Sequence, residues 1–536
     1  MRVRILTFLT VLALLSTPSP AVADDAVSRG PSTTTNPYVL PVADGVRIIS
    51  ILTVNDPGAA RNGYEMVGIP DGIGLTIEGG TVVAFMNHEL RSERGIVRRH
   101  GQTGAFVSRL VIDPTTLAVT HGSDLIDPGV RFWDYVSDGY VTTGARFADG
   151  TLQDLRFSRF CSGTLSDPGI FDLGAFGYKG QIYFANEEAG DNGRLFGVLT
   201  DGTTQALPRL GLFSWENTVP ANNTSRTTLV MGQEDGPGPG PAPTDGSQLW
   251  VYVGAKQNSG DPFARAGLTN GLSHVIDAVD PAVTDDPSWR AAYPKGVAAP
   301  VTLREVGWDQ TGAAQNVEAK SKGLSLNRIE DGHWDPRHRN DFYFLTTEGG
   351  DRTTSFPFTR DGGGLWRLSW QDIDRPELGA TLTLLLDGSE EIAPGEPKMN
   401  KPDNVVIDHH GNLLIQEDPG NNAHLARIIA YRLRDGAMGV VARFDPARFA
   451  LGGASFMTQD EESSGIVDAE KILGKKGTFL FDAQVHTAAG LPAGTGPNTV
   501  QEYVEHGQLL VLRVDKWKSV YSAGDANDDK DDDEDD

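Results

Sequence analysis

Acidic side chains recur in this chain directly after short apolar segments. In residues 401–420, the apolar segment 413–415 runs into Glu417 and Asp418 within three positions. Other copies of this arrangement lie far apart in the chain. The carboxylates that the pattern singles out are Glu187, Glu188, Glu216, Glu234, Asp235, Glu330, Asp331, Glu348, Asp403, Glu417, Asp418, Glu461 and Glu462.

So many carboxylates indicate a cation site if the fold brings them together. Like charges in a closed space repel one another and force protonation, unless multivalent cations neutralise them. Calcium takes six to eight oxygen ligands from carboxylates, amides and carbonyl groups. Asn87, Asn186 and Asn404 stand beside acidic segment ends and could add neutral oxygens. The pattern therefore predicts calcium as a cofactor.

Cys161 is the only cysteine, so an exported chain of this kind would have no internal disulfide. It lies in the sequence Arg159-Phe160-Cys161-Ser162-Gly163, one strand before Glu187 and Glu188. A thiolate near carboxylates suits a transition metal with mixed sulfur and oxygen ligands. The alternative is a small buried side chain that only packs.

Arg328 stands two residues before Glu330 and would place a planar cation at the same site. Such a guanidinium is a common partner of phosphate oxygens. Metal ions together with an arginine predict metal-assisted phosphoryl transfer, in which the main task is charge neutralisation. The alternative is a structural ion pair of Arg328 with Glu330 or Asp331.

Motifs of other hydrolase chemistries are missing from the sequence. It contains no Gly-x-Ser-x-Gly, no His-Glu-x-x-His and no Gly-rich phosphate loop with Lys-Ser/Thr. His409 and His410 fall in a predicted hairpin turn, where we expect exposure rather than metal binding. His88 precedes Glu89 at a segment end and is a weaker metal or substrate candidate.

The segments that carry these side chains predict an all-β fold. Gly (63) and Pro (31) are abundant, which favours many short strands with turns. About six apolar segments recur at roughly 65 to 100 residues, as expected of propeller blades separated by variable loops. These segments are residues 82–85, 182–184, 249–252, 342–345, 413–415 and 479–481.

Finer expectations follow for single segments. We expect residues 229–231 to pair with 249–253 within one blade, and a strand over 509–514. Residues 461–473 are the best short helix candidate, and 256–325 could form a peripheral insertion with some helix. The domain would span residues 24–522 as one β-propeller, followed by an acidic, disordered tail over 523–536.

The charge balance limits the partners. The chain has 72 acidic and 46 basic residues, a net charge of -26. This argues against nucleic acid and anionic membranes, so we expect small-molecule substrates and a monomer.

Residues 1–23 have the pattern of a Sec-type export signal. Arg2 and Arg4 precede an apolar stretch, and Ala21-Val22-Ala23 matches the cleavage pattern. We therefore expect a secreted or periplasmic protein without a membrane-spanning helix.

The chain resembles the secreted PhoX-type alkaline phosphatases and the propeller superfamily around them. Their motifs match over about residues 80–470. The matching segments are Asn87-His88-Glu89, Arg159-Phe160-Cys161-Ser162-Gly163, Asn186-Glu187-Glu188, Ser214-Trp215-Glu216-Asn217, Gly232-Gln233-Glu234-Asp235, Asn327-Arg328-Ile329-Glu330-Asp331, Lys401-Pro402-Asp403-Asn404 and Asp460-Glu461-Glu462-Ser463-Ser464-Gly465. The sequence departs from the family in having no twin-arginine signal, and in reading Arg-Ile-Glu where Arg-Pro-Glu is expected.

The resemblance implies a six-bladed propeller that hydrolyses phosphate monoesters at a site with iron and calcium. Cys161 would bind iron, and Glu216 and Glu330 would be carboxylate ligands. Arg328 and Glu330 would be catalytic residues, and Arg328 and Asn87 would bind the substrate. The weaker assignments to the metal set are Glu188, Asp235, Asp403 and Glu462.

Two other functions stay open at this point. One is a calcium-dependent lactonase or esterase on a similar propeller, in which Cys161 only packs. The other is a non-catalytic binding protein that calcium stabilises. The superfamily has many members without known activity, so the fold alone does not decide between them.

Overall fold

A computed structural model describes residues 26–237, 246–347 and 363–521. Several predictions fall outside these residues: the export signal over 1–23, the acidic side chain of Glu348 and the tail over 523–536. Within them the chain is predominantly β-structure, with 31 strands and seven short α-helices. None of the helices found there is both long and apolar enough to cross a bilayer.

The strands of the N-terminal half are the following. In chain order they are β1 (Val27–Arg29), β2 (Val39–Pro41), β3 (Val46–Thr53), β4 (Pro70–Glu78), β5 (Thr81–His88), β6 (Phe106–Ile112), β7 (Val119–Asp124), β8 (Phe132–Asp134), β9 (Gly139–Val141), β10 (Phe160–Leu165), β11 (Asp172–Leu173), β12 (Phe176–Gly177), β13 (Ile182–Glu187), β14 (Leu195–Leu199), β15 (Thr204–Ala206), β16 (Trp215–Pro220), β17 (Thr227–Glu234) and β18 (Leu249–Ala255).

The strands of the C-terminal half follow in the same way. They are β19 (Leu272–Ala278), β20 (Ala299–Val306), β21 (Ile329–Trp334), β22 (Asp341–Thr346), β23 (Gly364–Trp370), β24 (Ala380–Asp387), β25 (Pro402–Ile407), β26 (Asn412–Glu417), β27 (Arg427–Arg432), β28 (Met438–Phe444), β29 (Glu461–Asp468), β30 (Thr478–Val485) and β31 (His506–Val514).

The helices are short and peripheral to the sheets. The α-helices are α1 (Pro262–Arg265), α2 (Asp286–Ala292), α3 (Gly312–Lys322), α4 (Pro446–Phe449), α5 (Glu470–Leu473), α6 (Val500–Tyr503) and α7 (Trp517–Tyr521). Three single turns of 3₁₀-helix occur at Gly190–Asn192, Pro208–Leu210 and Pro376–Leu378.

Most strands belong to up-and-down antiparallel sheets. Four sheets have the orders β4-β5-β6-β7, β10-β13-β14-β15, β25-β26-β27-β28-β2 and β29-β30-β31-β3-β1. A nine-stranded sheet has the order β16-β17-β18-β19-β20-β24-β23-β22-β21. This large sheet consists of two up-and-down runs that meet edge to edge between β20 and β24.

The first strand of each run lines a central channel. These strands, called the inner strands, are β4, β10, β16, β21, β25 and β29. Each contacts the next in this order, and β29 contacts β4, so they close a ring. Apolar clusters fill the spaces between neighbouring sheets and hold them against one another. The prediction of an all-β, propeller-like arrangement is confirmed.

The two ends of the described chain meet in one sheet. The C-terminal strand β31 lies between the N-terminal strand β3 and β30, and it pairs with both in antiparallel register. Strand β2 pairs with β28 of the neighbouring sheet. These pairings close the ring with backbone hydrogen bonds, because neither sheet is complete without the N-terminal segment.

Some sequence predictions need correction. Residues 461–468 form the inner strand β29, and only Glu470–Leu473 is helical. The residues of an inner strand are buried on both faces, so the alternating pattern that identifies a strand is lost. The predicted pairing of 229–231 with 249–253 is correct, as is the strand over 509–514. The region 256–325 contributes β19 and β20 to the large sheet as well as three helices.

Candidate functional site

The same position of every inner strand carries a side chain that could bind a metal. It is the second residue of the strand, and the six residues there are called the inner ring: Asp71, Cys161, Glu216, Glu330, Asp403 and Glu462. The strand residue before it pairs with the last residue of the neighbouring strand, called the second strand (β5, β13, β17, β22, β26 or β30). In five inner strands a β-bulge follows directly, whereas in β29 it follows Ser463.

A second set of side chains comes from the ends of the second strands. The residue immediately after each second strand belongs to the outer ring: Glu89, Glu188, Asp235, Thr347, Asp418 and His486. In each run of strands, the amide of the outer-ring residue donates a hydrogen bond of 2.9–3.0 Å to a backbone carbonyl. The acceptor is the residue two positions before the inner-ring residue of the same run. These acceptors are called the rim residues: Ile69, Arg159, Ser214, Arg328, Lys401 and Asp460. One local geometry therefore recurs six times around the channel.

Three rim residues have strained backbones. Ile69, Arg159 and Lys401 have φ angles of 50°, 48° and 46°, in the left-handed region. This conformation is uncommon for residues other than glycine and is unusual for a β-branched residue such as Ile69. Strain of this kind clusters at functional sites, where the surrounding structure must hold it.

The inner and outer rings converge on one mouth of the channel. Nine side chains form four groups, within each of which the ligand atoms lie within 4.8 Å of one another. The groups are Asp71, Glu89 and Cys161; Cys161, Glu188 and Glu216; Glu216, Glu330 and Asp403; and Asp403, Asp418 and Glu462. Neighbouring groups share a residue, so the four form one continuous chain of candidate metal sites.

Cys161 lies among these carboxylates. Its Sγ is 3.1 Å from Glu216 Oε2 and 3.5 Å from Asp71 Oδ2. Burial raises the pKa of the Cys161 thiol well above its usual value, and the negative charges of Glu216 and Asp71 raise it further. The thiol of the protein without metal is therefore protonated at neutral pH.

The carboxyl groups of the site resist ionisation for the same reasons. Burial raises the pKa values of Asp71, Glu216, Glu330 and Asp403 well above normal, and neighbouring carboxylates add to the effect. Burial and Asp418 raise the pKa of Glu462 to about 7. Glu216 Oε1 is buried and has no hydrogen-bond partner among the described residues. Such a set of donors lacks positive charge, and bound cations would supply it.

Arginines at the rim hold outer-ring carboxylates. Arg328 binds Asp235 through Nε at 2.6 Å and through Nη2, and its Nη2 lies 3.5 Å from Glu330 Oε1. Arg159 binds Glu89 through Nε at 2.8 Å and Glu188 through Nη2. Asp235, expected to be a metal ligand, is therefore bound by Arg328 and belongs to none of the four groups. The alternative ion pair of Arg328 is correct for Glu330 but not for Asp331.

Lys401 is a third rim cation, in the strand next to Arg328. Its side chain is half-buried and makes no ion pair or hydrogen bond within the described ranges. Its ammonium group is therefore free to bind an anion. The three rim cations surround an opening whose floor is acidic.

Amide side chains form a hydrogen-bonded layer beneath the rings. Asn87 is fully buried, and its Nδ2 donates to the carbonyl of Cys161 at 2.7 Å. Asn186 Nδ2 donates to the Ser162 carbonyl at 2.6 Å, and Asn404 Nδ2 to Ser162 Oγ at 2.5 Å. Asn87, predicted to bind the substrate, is without exposure and lies beneath Cys161, and its role stays a prediction. These amides fix the backbone that carries the ring.

Asp331 belongs to the same lower layer. Its Oδ1 accepts a hydrogen bond from Asn217 Nδ2 at 2.5 Å, and its Oδ2 one from the Val405 amide at 3.3 Å. Burial raises its pKa to about 6. Close approach of the backbones seals this layer, since a Cβ added to Gly72 would lie 1.8 Å from the Gly163 nitrogen.

Three other predicted carboxylates have partners elsewhere in their sheets. Glu187, Glu234 and Glu417 are called the framework carboxylates, and each is the last residue of a second strand. Glu187 binds Arg194, and Glu417 binds Arg427 and His424. Glu234 Oε2 accepts from Trp250 Nε1 at 2.9 Å and from the Gln248 amide at 2.9 Å. Glu461 accepts a 3.3 Å hydrogen bond from the Ala426 amide.

The predicted histidines do not enter the rings. His88 is fully buried, stacks on Phe106 and lies with Nε2 2.7 Å from Ser108 Oγ. His410, in the turn between β25 and β26, lies 3.2 Å from Glu470. The histidine that stands in the outer ring is His486, which the sequence places after the apolar segment 479–481 without giving it a role.

Sequence reasoning missed Asp71, and it named Glu89, Arg159 and Lys401 within motifs without giving them a role in the site. A usable signal was present in the rim-to-ring tetrapeptides. The segments Ile69-Pro70-Asp71-Gly72 and Lys401-Pro402-Asp403-Asn404 have the same order of residue types. Each has a bulky residue, then Pro and Asp, and then a small polar residue or Gly. Aligning the known candidates on this four-residue unit would have identified Asp71.

Comparisons with known proteins agree with this architecture. The family model "Alkaline phosphatase PhoX" matches residues 198–464, half of the chain. This range includes Glu216, Glu330 and Asp403 but begins after Cys161. No curated protein sequence matches the chain.

Among solved structures, the chain is similar to Pseudomonas fluorescens PhoX in complex with vanadate, a transition-state analogue. The two share 12% identity with a TM-score of 0.59, over 93% of this chain and 97% of the other. A gluconolactonase from Xanthomonas campestris matches at 10% identity and a TM-score of 0.34, over 88% and 90% of the two chains. The first likeness supports the fold, and the second is too remote to carry an argument.

Proposed function

The chain belongs to the PhoX family of alkaline phosphatases, and from that premise we propose that it hydrolyses phosphate monoesters at the mouth of the propeller channel. The observation that carries the proposal is the chain of four groups formed by the inner and outer rings, with rim cations above it. The family relationship is what favours this activity over the lactonase and non-catalytic alternatives.

We propose calcium and iron as the metals of this site. The residues fit both ions: carboxylate oxygens suit calcium, and the Cys161 thiolate among carboxylates suits iron. The orphaned Glu216 Oε1 and the raised pKa values of the inner ring indicate a donor set that lacks its cations. The groups containing Cys161 would hold iron, and the all-carboxylate groups would hold calcium. When bound, these ions would neutralise phosphate charge and polarise the phosphorus–oxygen bonds.

The rim cations would bind and orient the phosphoryl group. Arg328 is held by Asp235, which fixes the plane of its guanidinium while leaving a partly exposed edge at the mouth. Lys401 has no partner there and could approach a second phosphate oxygen. Arg159, which bridges Glu89 and Glu188, would add positive charge at the opposite side. The inner ring below these cations would prevent the phosphoryl group from binding in unproductive orientations. Such orientation matters because phosphoryl transfer depends mainly on positioning and charge.

Glu330 has two neighbours of different kinds and therefore a distinct role. It belongs to the group with Glu216 and Asp403, and its Oε1 faces Arg328. A carboxylate in this place would connect the cation site to the phosphate-binding arginine. We propose that it keeps the guanidinium aligned above the metal site.

We also propose that the propeller has six blades and that the protein is exported. The closed ring of six inner strands supports the blade count, with the nine-stranded sheet counted as two blades joined at β20 and β24. The charge and apolar pattern of residues 1–23 supports export.

The test is turnover of a chromogenic phosphomonoester by purified protein loaded with calcium and iron. We expect turnover that chelation abolishes and metal restores. A matched lactone and carboxylic ester assay identifies the first alternative. Fully metallated protein that hydrolyses none of these substrates would contradict the proposal and favour a binding protein.

A further inference from the structure

Asp482, in the middle of the second strand β30, is a fully buried carboxyl group without a partner. Its exposure is 0%, and neither Oδ1 nor Oδ2 has a hydrogen-bond partner in the described part of the chain. A buried polar group without a partner costs free energy, so native proteins supply a proton donor, a water or an ion. The inner and outer rings do not include this residue.

The repeat shows that the fold does not require an acid at this position. Asp482 stands four residues before the outer-ring residue His486. The residues at the same distance in the other second strands are all large and buried: Phe85, Phe184, Met231, Tyr343 and Leu414. A propeller of this kind therefore packs an apolar or aromatic side chain here, and Asp482 is the exception.

The side chain faces the sheet that contains β4. Leu480 packs in the same apolar cluster as Ile73 of β4, and Gln484 Nε2 donates to Asp71 Oδ2 at 3.1 Å. Side chains alternate along a strand, so Asp482 points in the same direction as Leu480 and Gln484. The Asp482 side chain therefore lies between the apolar contact made by Leu480 and the carboxylate of Asp71.

Another oxygen without a partner stands two residues further along the same strand, within the described part of the chain. Gln484 Oε1 is fully buried and unpartnered in the described ranges. Residues two apart on one face of a strand are about 7 Å apart, so the side-chain oxygens of Asp482 and Gln484 would share one cation by turning toward each other, to within about 5 Å. Across the sheet, the β-bulge after Ser463 leaves two residues of β29 without a direct partner opposite Asp482.

The four groups of candidate metal ligands do not form a closed ring, and the break in the ring lies above Asp482. The groups lead from Asp71 around the mouth to Glu462, and no group links Glu462 back to Asp71. The outer-ring residue at this junction is His486, whose Nδ1 lies 2.8 Å from Glu505. Both Asp71 and Glu462 are close enough to Asp482 to act on it electrostatically.

We propose that Asp482 binds a further divalent cation between β30 and β4, one layer below the mouth. The donors are the two oxygens of Asp482, Gln484 Oε1 and the carboxylate of Asp71, which this ion shares with the mouth. Oxygen donors of this kind select a hard cation of the calcium class. The ion ties two neighbouring sheets together beneath the catalytic rings and supports the position of Asp71. The proposal stands independently of the phosphatase activity, because it concerns an ion below the substrate-binding mouth.

The test counts bound cations by native mass spectrometry after loading with calcium. We expect Asp482→Asn and Asp482→Leu to bind one cation fewer per chain than the wild type. The matched control is Asp408→Asn, since Asp408 is equally buried but its oxygens accept from the His410 and Asn412 amides and from Asn412 Nδ2. That control should keep the wild-type count. Asp482 variants with an unchanged count would overturn the proposal.

A second measurement covers the case in which the variants do not fold. Crystals of the wild type soaked in strontium should give an anomalous peak within about 2.6 Å of an Asp482 carboxylate oxygen. A water molecule or an empty space beside Asp482 would overturn the proposal. Failure of the phosphatase assay would not affect either result, so the two proposals can fail separately.

Discussion

Acidic residues that are neighbours in sequence occupy two different environments in this protein. Glu417 and Asp418 are neighbours in sequence, and so are Glu187 and Glu188. The first member of each pair is a framework carboxylate bound to a buried arginine, and the second lies in the outer ring at the mouth. Successive side chains of a strand point to opposite faces, so one residue of such a pair turns into the sheet and the other toward the channel. In each of these two pairs, the first acid therefore has a structural position and the second has a position at the candidate site.

The electrostatics of the two positions differ although both are buried. Burial opposes ionisation of Glu417, but Arg427 and His424 outweigh it and hold the pKa of Glu417 at about 2. Glu216 has equal burial and only acidic neighbours, and its pKa is raised well above normal. Glu417 is therefore neutralised by cations of the fold itself, whereas the carboxylates around Glu216 outnumber the rim cations and would need bound metal ions.

The largest expected effect is on the framework side. Replacing Glu417 with Gln leaves the buried Arg427 with Glu396, 3.4 Å away, as its remaining acidic partner, and breaking a buried pair typically costs about 3–5 kcal/mol of stability. The free energy of unfolding, measured by denaturant titration, should fall by that amount whether or not metal is present. A calcium-dependent loss would show instead that Glu417 takes part in the metal site.

On the mouth side, Glu216→Gln should spare the fold and abolish function. Removing a ligand shared by two groups should lower turnover by about 10²–10³-fold, the scale seen when transition-state charge stabilisation is lost. In chelated protein, the same variant should be as stable as the wild type or more stable, because a repelling acid is removed. Equal turnover of the variant and the wild type would contradict the assignment of Glu216.

A smaller effect is expected at the rim. Arg328→Lys keeps the positive charge but loses the planar pair of donors, so kcat/KM should fall by about 10- to 100-fold. The control is Arg194→Lys, which alters a framework pair and should lower stability with little change in kcat/KM of the folded protein. If both substitutions reduce kcat/KM equally, Arg328 has no special role at the substrate.

The smallest expected effect is a pH dependence of stability in chelated protein. The pKa of Glu462 is raised to about 7 in the fold, from 4.5. The folded state therefore holds a proton that the unfolded state has lost, and stability falls as the pH rises from 6 to 8, by about 1 kcal/mol for this group. Glu417 contributes in the opposite sense, but only between about pH 4.5 and 2. Thermal melts of chelated and metal-loaded protein across pH 6–8 should diverge, and parallel curves would contradict this account.

The sequence predicted the fold class because the strand ends carry local signals. Apolar segments, turn residues and acidic ends identified most second strands, whereas Cys161, Glu216, Glu330 and Asp403 were named from short motifs at the start of inner strands. The inner strands were harder, as β29 shows, because burial on both faces removes the alternation that distinguishes strand from helix. Asp71 was missed because the segment 69–72 was not recognised as a copy of the motif at 401–404. The choice between Glu417 and Asp418 depends on the partners Arg427 and Asp403, which only the tertiary structure brings close.

The central claim is that the mouth holds metals and that Cys161 divides them into two kinds. Elemental analysis of protein purified without added metal tests this claim most directly, on the wild type and on Cys161→Ser. The account predicts iron and calcium at stoichiometric levels in the wild type, and a selective loss of iron from the variant. A folded wild-type protein that contains neither metal, and does not take them up when they are supplied, would contradict it.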